Sequence, residues 1–433
     1  MSEVWLSGIG ILLALAGMTL LIFRRVSPII VGPLAALLVT LLSRLPVLET
    51  VTGTYVQGVG SFFVSYFMIF LLGNLLGSLY QISGAAAKIG ETVVRRFGAK
   101  NCMTACLISA ALLSYGGINS FVIIFAIYPV ALKLFEEADL PTYLLPGIVC
   151  GGMWTFAMTG PFSPQICNIV SMQSLGTPSY AGLVPGLAAS VLMAVLIVWY
   201  MNGQAKKAKL RGEHFTPPEG GVRRHEGKAP GAAVSFIPLA AVILLFNVTE
   251  IGIVACLLIG IVLSLVLFYR SIPWKELLPA VNQAATTSVT VIINTATIVG
   301  FGAVAKITPF YVWAVDLLEQ STANPYVVAA VGSKLVACIL GSSSGGLTLM
   351  YTSLKDVFLA YAAQGFNLEF IHRLCSLGSG GLDSMPWNGS IVSVFGICHT
   401  THKASYKYNF VTCAVIPVLC TFLIALPICI WLG

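Results

Sequence analysis

Residues Tyr326–Ala363 read YVVAAVGSKLVACILGSSSGGLTLMYTSLKDVFLAYAA. Two apolar arms flank a polar, glycine-rich centre, Gly341-Ser-Ser-Ser-Gly-Gly346. Backbone of that kind cannot face lipid, because its amides and carbonyls would go unpaired there. It must sit inside protein or line a cavity, so the stretch is expected to be a re-entrant hairpin with a polar tip. Cys102–Leu134 repeats the pattern around Ser114-Tyr-Gly-Gly-Ile-Asn-Ser120, and is too long for one span of ~20 residues.

Composition agrees with a chain that lives in lipid. Of 433 residues, 57% are hydrophobic and 9% charged, with a mean hydropathy of +0.92. Soluble proteins carry about 25% charged residues. So few charges exclude a cytosolic enzyme, a nucleic-acid binder and a disordered chain. The hydrophobic total fills roughly ten to twelve spans of ~20 residues. The 42 glycines and 21 prolines suit membrane helices that are interrupted.

Ten spans are expected. The first half holds Val4–Phe23, Pro28–Leu42, Phe62–Ser83, Tyr143–Gly160 and Gly182–Met201. The second holds Val234–Val248, Ile251–Tyr269, Thr286–Ala305, His372–Ile397 and Asn409–Trp431. Between them lies a hydrophilic linker rich in Lys and Arg, with Pro-Pro and Gly-Gly pairs. Its charge and the net +7 of the chain place it in the cytoplasm by the positive-inside rule. Counting outward, Arg24-Arg25, Lys88–Lys100, Arg270–Lys275 and His399–Lys407 also fall inside, and both termini outside. The first segment lacks a basic start and a small-residue cleavage site, so it reads as a retained span. The 11 cysteines show no metal spacing, and Cys102, Cys106, Cys256, Cys338 and Cys420 read as small core hydrophobes.

The two halves match along one diagonal. Arg44 pairs with Arg270 and Gln57 with Gln283 at an offset of 226; Pro46 with Pro273, Glu49 with Glu276 and Gly73 with Gly300 at 227. The hairpin tips near Gly116 and Ser343 lie 227 apart, and the next breaks near Gly160 and Pro386 lie 226 apart. Each half then has five spans plus a hairpin. An odd span number inverts the second copy, and inverted repeats with broken helices are a transporter architecture. The expected fold is an all-α polytopic membrane protein: residues 1–201 the first inverted repeat, 202–232 the cytoplasmic linker, 233–433 the second repeat.

Four polar breaks carry the chemistry, two per half. The first hairpin tip offers Ser114, Gly116, Gly117, Asn119 and Ser120. The first break, TGPFSPQICN, offers Thr159, Ser163, Gln165 and Asn168. The second tip offers Ser342, Ser343, Ser344 and Gly345; the second break, LDSMPWNGS, offers Ser384, Trp387 and Asn388. Half-helix N-termini bind anions through free N–H groups, and freed carbonyls or side-chain oxygens hold Na+. These residues are therefore the candidate substrate contacts. The alternative is that the breaks are kinks or helix-packing sites. Asp383 is the clearest carboxylate in a presumed break, and intramembrane acids are functional by default. With Asn119 and Ser343 it is the candidate cation-coupling group, for H+ or for Na+ held at the hairpin tips; the alternative is a structural helix cap. Lys334, Lys355, His372 and Arg373 read as interface anchors, with attraction of an anion toward an outer vestibule the alternative for the last two. His399 and His402 read as solvated, and Trp154 and Trp387 adjoin the breaks.

With these residues in hand, the chain resembles the gluconate-permease (GntP) family of the ion-transporter superfamily. Thr159-Gly-Pro-Phe-Ser-Pro-Gln165 with Asn168 is similar to that family's Pro/Gly-rich break with a following P-Q-x-x-N. Gly341-Ser-Ser-Ser-Gly345 resembles its Gly-Ser-Ser/Thr tip, and Asp383-Ser384 with Trp387 its N-D-S-G-F-W segment. The chain departs at Leu382, at Met385-Pro386, and in having no acidic residue within Ser114–Ser120. The resemblance implies an organic-acid carrier, a homodimer, and a scaffold of early spans beside a moving transport domain.

The expected function is thus secondary active transport of a small organic carboxylate, a hydroxy or sugar acid, across the inner membrane. Its partners would be the anion, a coupling H+ or Na+ and the lipid bilayer, with no cofactor and no nucleic acid. No G-x-x-x-x-G-K-[ST] motif is present to bind ATP. The alternatives are a cation/proton antiporter of the same superfamily, a polytopic membrane enzyme, and a channel.

Overall fold

In a computed structural model, residues 2–24, 26–118, 120–217, 229–249, 251–313, 324–386 and 388–433 are described. Within them the chain is helical, with no strand. The first half contains α1 (Ser2–Phe23), α2 (Pro28–Leu42), α3 (Val47–Ile82), α4 (Ala85–Phe97), α5 (Cys102–Tyr115) and α6 (Ser120–Glu137). It continues with α7 (Leu145–Trp154), the short α8 (Phe156–Thr159), α9 (Ile166–Leu175) and α10 (Leu183–Leu210). The second half contains α11 (Ala232–Val248), α12 (Ile253–Leu267), α13 (Trp274–Lys306), α14 (Pro325–Leu340) and α15 (Ser343–Ala363). It ends with α16 (Leu368–Ser379), α17 (Gly389–Ile397) and α18 (His402–Leu432).

Four described helices, α3, α10, α13 and α18, are long and apolar enough to cross a membrane by length and composition. Trp5, Leu12, Val64, Val195, Trp199, Leu244 and Val266 lie exposed along the helices. Such a surface would aggregate in water and suits lipid.

The long helices α3 and α13 pack along one another and anchor the remainder. Both start well before the apolar spans Phe62–Ser83 and Thr286–Ala305, because their first turns carry Thr, Gln and Asn that a hydropathy window does not see. Asn74 Nδ2 donates to Ser288 Oγ at 3.0 Å and to the Phe70 carbonyl at 2.9 Å, joining the pair at its centre. Glycine sets the closest approach. A Cβ on Gly300 would lie 2.6 Å from Val59 Cγ2 and 2.9 Å from the Tyr55 carbonyl. Gly300→Leu is expected to cost about 1–3 kcal/mol by overpacking, read as a lower Tm in detergent. Gly17→Leu, where nothing lies within 4 Å, should leave Tm unchanged.

Helix α4 falls in a segment that the sequence marks only as basic. It buries Ala85, Ala86, Ile89, Gly90 and Val93 on one face and ends in Arg95 and Arg96. Helix α18 widens to π geometry over Val411–Val415 and again over Thr421–Ala425. Pro417 and Pro427 follow these segments; each ring clashes with the carbonyl four residues earlier and lacks an N–H, which explains the widening. Beyond α10, Arg211 pairs with Glu213 at 2.8 Å, and Asp139 accepts from the Phe215 amide at 3.0 Å. These contacts fix the start of the linker, up to residue 217. None of the eleven cysteines is in a disulfide, and ten are buried.

Candidate functional site

The first break follows α8, where Gly160-Pro-Phe-Ser-Pro164 stops the helix. The Thr159 carbonyl that it frees, and two carbonyls in the loop before α10, are taken up by one side chain from the other half of the chain. Arg373, in α16, is fully buried. Its Nη1 donates to the Thr159 carbonyl at 2.6 Å, and Nε to the Ala181 carbonyl at 2.8 Å. Nη2 donates to Asn168 Oδ1 at 3.2 Å and to the Ser179 carbonyl at 3.3 Å. Gly182 and Gly186 make room for its stem: a Cβ on Gly182 would lie 2.5 Å from Arg373 Cβ.

Asn168 is the hub of this strap. Its Nδ2 donates to the Ser163 and Ser179 carbonyls, each at 3.0 Å, which fixes Oδ1 as the acceptor. His372 Nε2, 2.9 Å from that oxygen, is then the donor, and His372 Nδ1 lies in hydrogen-bond distance of the Thr177 hydroxyl at 2.6 Å. Gln165 Nε2 donates to the Ser114 carbonyl at 2.6 Å and to the Ile118 carbonyl at 3.3 Å, tying the break to the first hairpin tip.

The second break runs from Gly380 to Asn388. Asp383 is buried in it, on a turn of 3-10 helix, Leu382–Ser384. Ser384 Oγ donates to Asp383 Oδ1 at 3.3 Å, and the Gly381 backbone and the Ser343 side chain lie beside this carboxylate. Asn388 Nδ2 holds the Asp383 carbonyl at 2.9 Å, and Asn388 Oδ1 caps α17 by accepting from the Ser390 amide at 2.7 Å. Ser343, at the start of α15, also accepts from Cys167 Sγ of α9 at 3.3 Å. The second hairpin tip therefore touches both breaks.

Lys334 faces this acid from α14 and is 3% exposed. Its Nζ donates to the Gly380 carbonyl at 2.9 Å and the Leu377 carbonyl at 3.5 Å, at the C-terminal end of α16.

Two expectations need correction here. Lys334 does not reach the membrane interface. A Cβ on Gly378 would lie 2.0 Å from Ser333 Oγ, so α14 and α16 touch at this point and the adjacent Lys334 turns into the helix end. His372 and Arg373 are not interface anchors either. Both are fully buried, because the break beside them leaves carbonyls that only donors can satisfy. Lys355 is exposed, as the sequence suggests.

The remaining candidates fall as follows. Ser114 Oγ donates to the Met153 carbonyl at 3.0 Å, and Ser163 Oγ to the Ala157 carbonyl at 2.7 Å. Thr159 Oγ1 donates to the Thr155 carbonyl at 3.1 Å. Gly116 faces α11, since a Cβ there would meet Leu239 Cδ2 at 2.5 Å; Gly117 takes φ +79° to turn the tip. Ser120 opens α6, and Ser342 caps α15 by accepting from the Gly345 amide at 3.2 Å. Ser344 Oγ lies 3.5 Å from Ser342 Oγ. Asn119 and Trp387 lie outside the described residues. The sequence reading missed Lys334, His372 and Arg373 as central groups. The signal was there for Lys334, an uncompensated cation nine positions into a helix of 16 residues.

Gly381 separates the acid from the lysine. It takes φ +101°, and a Cβ would lie 3.3 Å from both Lys334 Nζ and Pro417 Cβ. Gly381→Ala is expected to lower stability by about 1–3 kcal/mol through backbone strain alone, and to disturb the lysine as well. Gly365→Ala, with φ +100° and open space around it, isolates the strain. The two variants should therefore lose similar Tm but differ in transport.

A cavity of about 330 Å³ opens between α3, α9 and α15. Ser65, Tyr66, Gln173, Thr348 and Tyr351 line it, and Lys355 is its one lining charge. From its wall, Tyr351 donates to Ser171 Oγ at 2.8 Å, and Ser171 lies 3.0 Å from Ser376 Oγ in α16.

The arrangement of apolar helices and buried breaks is that of a membrane transporter, and comparison with known proteins agrees. The profile of a family described as GntP family permease matches residues 6–257, more than half of the chain. The chain belongs to the GntP family of permeases. It is 29% identical over 450 residues to an uncharacterized transporter, YxjC, of Bacillus subtilis, covering 92% of this chain and 94% of that one. It is 26% identical over 254 residues to an uncharacterized permease of Haemophilus influenzae, covering 56% and 51%. Among solved structures, the YdaH transporter of Alcanivorax borkumensis has a similar fold, with a TM-score of 0.60, 13% identity and 89% coverage of both chains. The protein is a membrane permease.

Proposed function

We propose that the protein is a secondary active carrier of a small organic carboxylate, coupled to H+ or Na+. One observation carries this reading: the N-terminal ends of α9, α15 and α17 meet around Ser343 and Asp383, through the Cys167–Ser343, Ser343–Asp383 and Asn388–Asp383 contacts. Gln165, at the start of α9, makes no side-chain cap hydrogen bond to that helix. Helix N-termini carry partial positive charge and free N–H groups, which bind carboxylates. The substrate would contact this junction through Ser343, Ser344, Gly345, Ser384 and the α9 amides, with Asp383 as the coupling acid. Asn168, Gln165 and Ser163 would support it by holding the break in shape.

The inverted-repeat reading has support in the pairing of elements. Helix α3 begins 227 residues before α13, and the arms of the first hairpin begin 223 residues before those of the second. Contacts exchange between halves in the same way: α9 packs on α15, and α17 on α6; α2 packs on α13, and α12 on α3. One hairpin would then enter from the cytoplasm and the other from outside, with the linker inside and both termini outside. The cavity between α3 and the α9–α15 pair suits an elevator motion, in which hairpins and broken helices slide against the long helices of a homodimer.

Reconstituted protein should be screened for counterflow of labelled gluconate, hydroxybutyrate, lactate, citrate and succinate, with and without Na+ or a pH gradient. Saturable counterflow of at least one acid is expected. The buried Asp383–Lys334 neighbourhood also favours a second reading, cation/proton exchange. Robust Na+/H+ exchange with counterflow of none of the acids would establish that reading and overturn the first.

A further inference from the structure

We propose that the cavity between α3, α9 and α15 is a second binding site for the transported anion, a vestibule in which Lys355 receives the carboxylate before it reaches the junction at Ser343. The proposal rests on the carrier reading and adds to it a site that lies away from the junction. Lys355 is 12 residues beyond Ser343 on α15, roughly 18 Å along the helix. One helix face joins the two places. Ser344, Thr348, Thr352 and Lys355 follow one another at spacings of four, four and three, so they stand in a row. Exposure rises along that row: Ser344 is buried, Thr348 half-buried, and Thr352 and Lys355 exposed. Thr348 and Thr352 line the cavity, and Ser344 lies at the junction. The row is thus a polar track from one site to the other.

The lining selects the chemistry of the occupant. Among the described residues, Lys355 enters no ion pair; those present are Lys88–Glu91, Arg211–Glu213 and His214–Asp139. An ammonium with three donors and no carboxylate partner attracts one anionic group. The hydroxyls around it have already spent their protons. On α3, Ser61 Oγ donates to the Gly58 carbonyl at 2.9 Å, and Ser65 Oγ to the Ser61 carbonyl at 2.7 Å. On α15, Thr348 donates to the Ser344 carbonyl at 2.9 Å and Thr352 to the Thr348 carbonyl at 2.7 Å, while Tyr351 donates to Ser171 Oγ at 2.8 Å. These oxygens turn lone pairs to the cavity, which accept from hydroxyl groups and repel a second carboxylate. The exposed Gln173 amide, on α9, offers two donors and a further acceptor. One cation among acceptors fits a single carboxylate that carries hydroxyls, and fits neither a dicarboxylate nor an unsubstituted fatty acid.

The test has two arms. In detergent, Ser65→Cys in a cysteine-depleted chain is labelled with a maleimide. Gluconate, hydroxybutyrate or lactate should slow the labelling several-fold. Sorbitol, which lacks the charge, and butyrate, which lacks the hydroxyls, should not. Adding Lys355→Gln should abolish that protection, while the same acid still protects Ser343→Cys. Protection by none of the three acids, or protection that survives Lys355→Gln, would overturn the proposal. In proteoliposomes, Lys355→Gln should raise KM for the acid found by counterflow by about 3–10-fold, with a smaller effect on the maximal rate, and Lys355→Arg should restore it. The difference in KM should narrow as salt is raised to about 1 M, where an exposed charge is screened within ~3 Å. An unchanged KM would leave Lys355 as an interface anchor and overturn the proposal. If no acid shows counterflow, the carrier reading fails, while the labelling arm still reads the cavity.

Discussion

Arg373→Ala is expected to remove most of the folded protein from the membrane. The guanidinium makes four hydrogen bonds in full burial, to three backbone carbonyls and to Asn168. Leaving a buried polar group unpaired costs about 1–3 kcal/mol; the Thr159 and Ala181 carbonyls lose their side-chain donor, while the Ser179 carbonyl and Asn168 Oδ1 keep others. The loss, together with the cavity left by the side chain, is a large share of the stability of an ordinary domain, about 5–15 kcal/mol. It also leaves His372 alone on Asn168, and the loop through Ser179 and Ala181 loses the guanidinium that holds it. Arg373→Lys should fail nearly as badly, because one ammonium cannot reach Ala181, Thr159 and Ser179 together as a planar fork does. Size-exclusion profiles of a fluorescent fusion read this directly. A monodisperse Arg373→Ala protein with wild-type Tm would contradict the role of the strap.

The second large effect belongs to Asp383. Asp383→Asn keeps the shape and the hydrogen bond from Ser384, but removes the group that takes a proton. Concentrative uptake should fall to the equilibrium level, with an accumulation ratio of about 1, since no ion gradient is then linked to the substrate. Counterflow, which needs no gradient, should persist. The variant also leaves the buried Lys334 ammonium without the carboxylate that faces it, which lowers stability. The double variant Asp383→Asn, Lys334→Met should recover stability but not accumulation. Full accumulation by Asp383→Asn would assign the carboxylate a structural role only.

These two residues also show where sequence reading succeeds and stops. The burial of Asp383 was legible because an acid amid Gly, Pro and Ser in an apolar stretch stands out from the charges of the loops. The breaks themselves were legible because Gly-Pro runs such as Gly160-Pro161 stop a helix wherever they fall. Arg373 and Lys334 were misread because their depth depends on which face of a helix is turned inward. For Lys334 that is decided by the Ser333–Gly378 contact, and for Arg373 by Gly182 and Gly186, residues far away in sequence. Hydropathy sees neither. The amphipathic α4 and the polar first turns of α3 and α13 were lost to the same measure, which averages over faces. Asn168 was singled out as a substrate contact at the first break; it lies in the first turn of α9, and its amide is fully engaged in the strap.

The carrier reading turns on whether a carboxylate binds at the junction of Ser343 with the two breaks. Ser343→Cys, placed in a cysteine-depleted chain that retains counterflow, can be labelled in proteoliposomes with a membrane-impermeant maleimide. Labelling should be slowed several-fold by the transported acid and not by a neutral analogue. Labelling at the same rate with and without every acid that shows counterflow would mean that the substrate binds elsewhere.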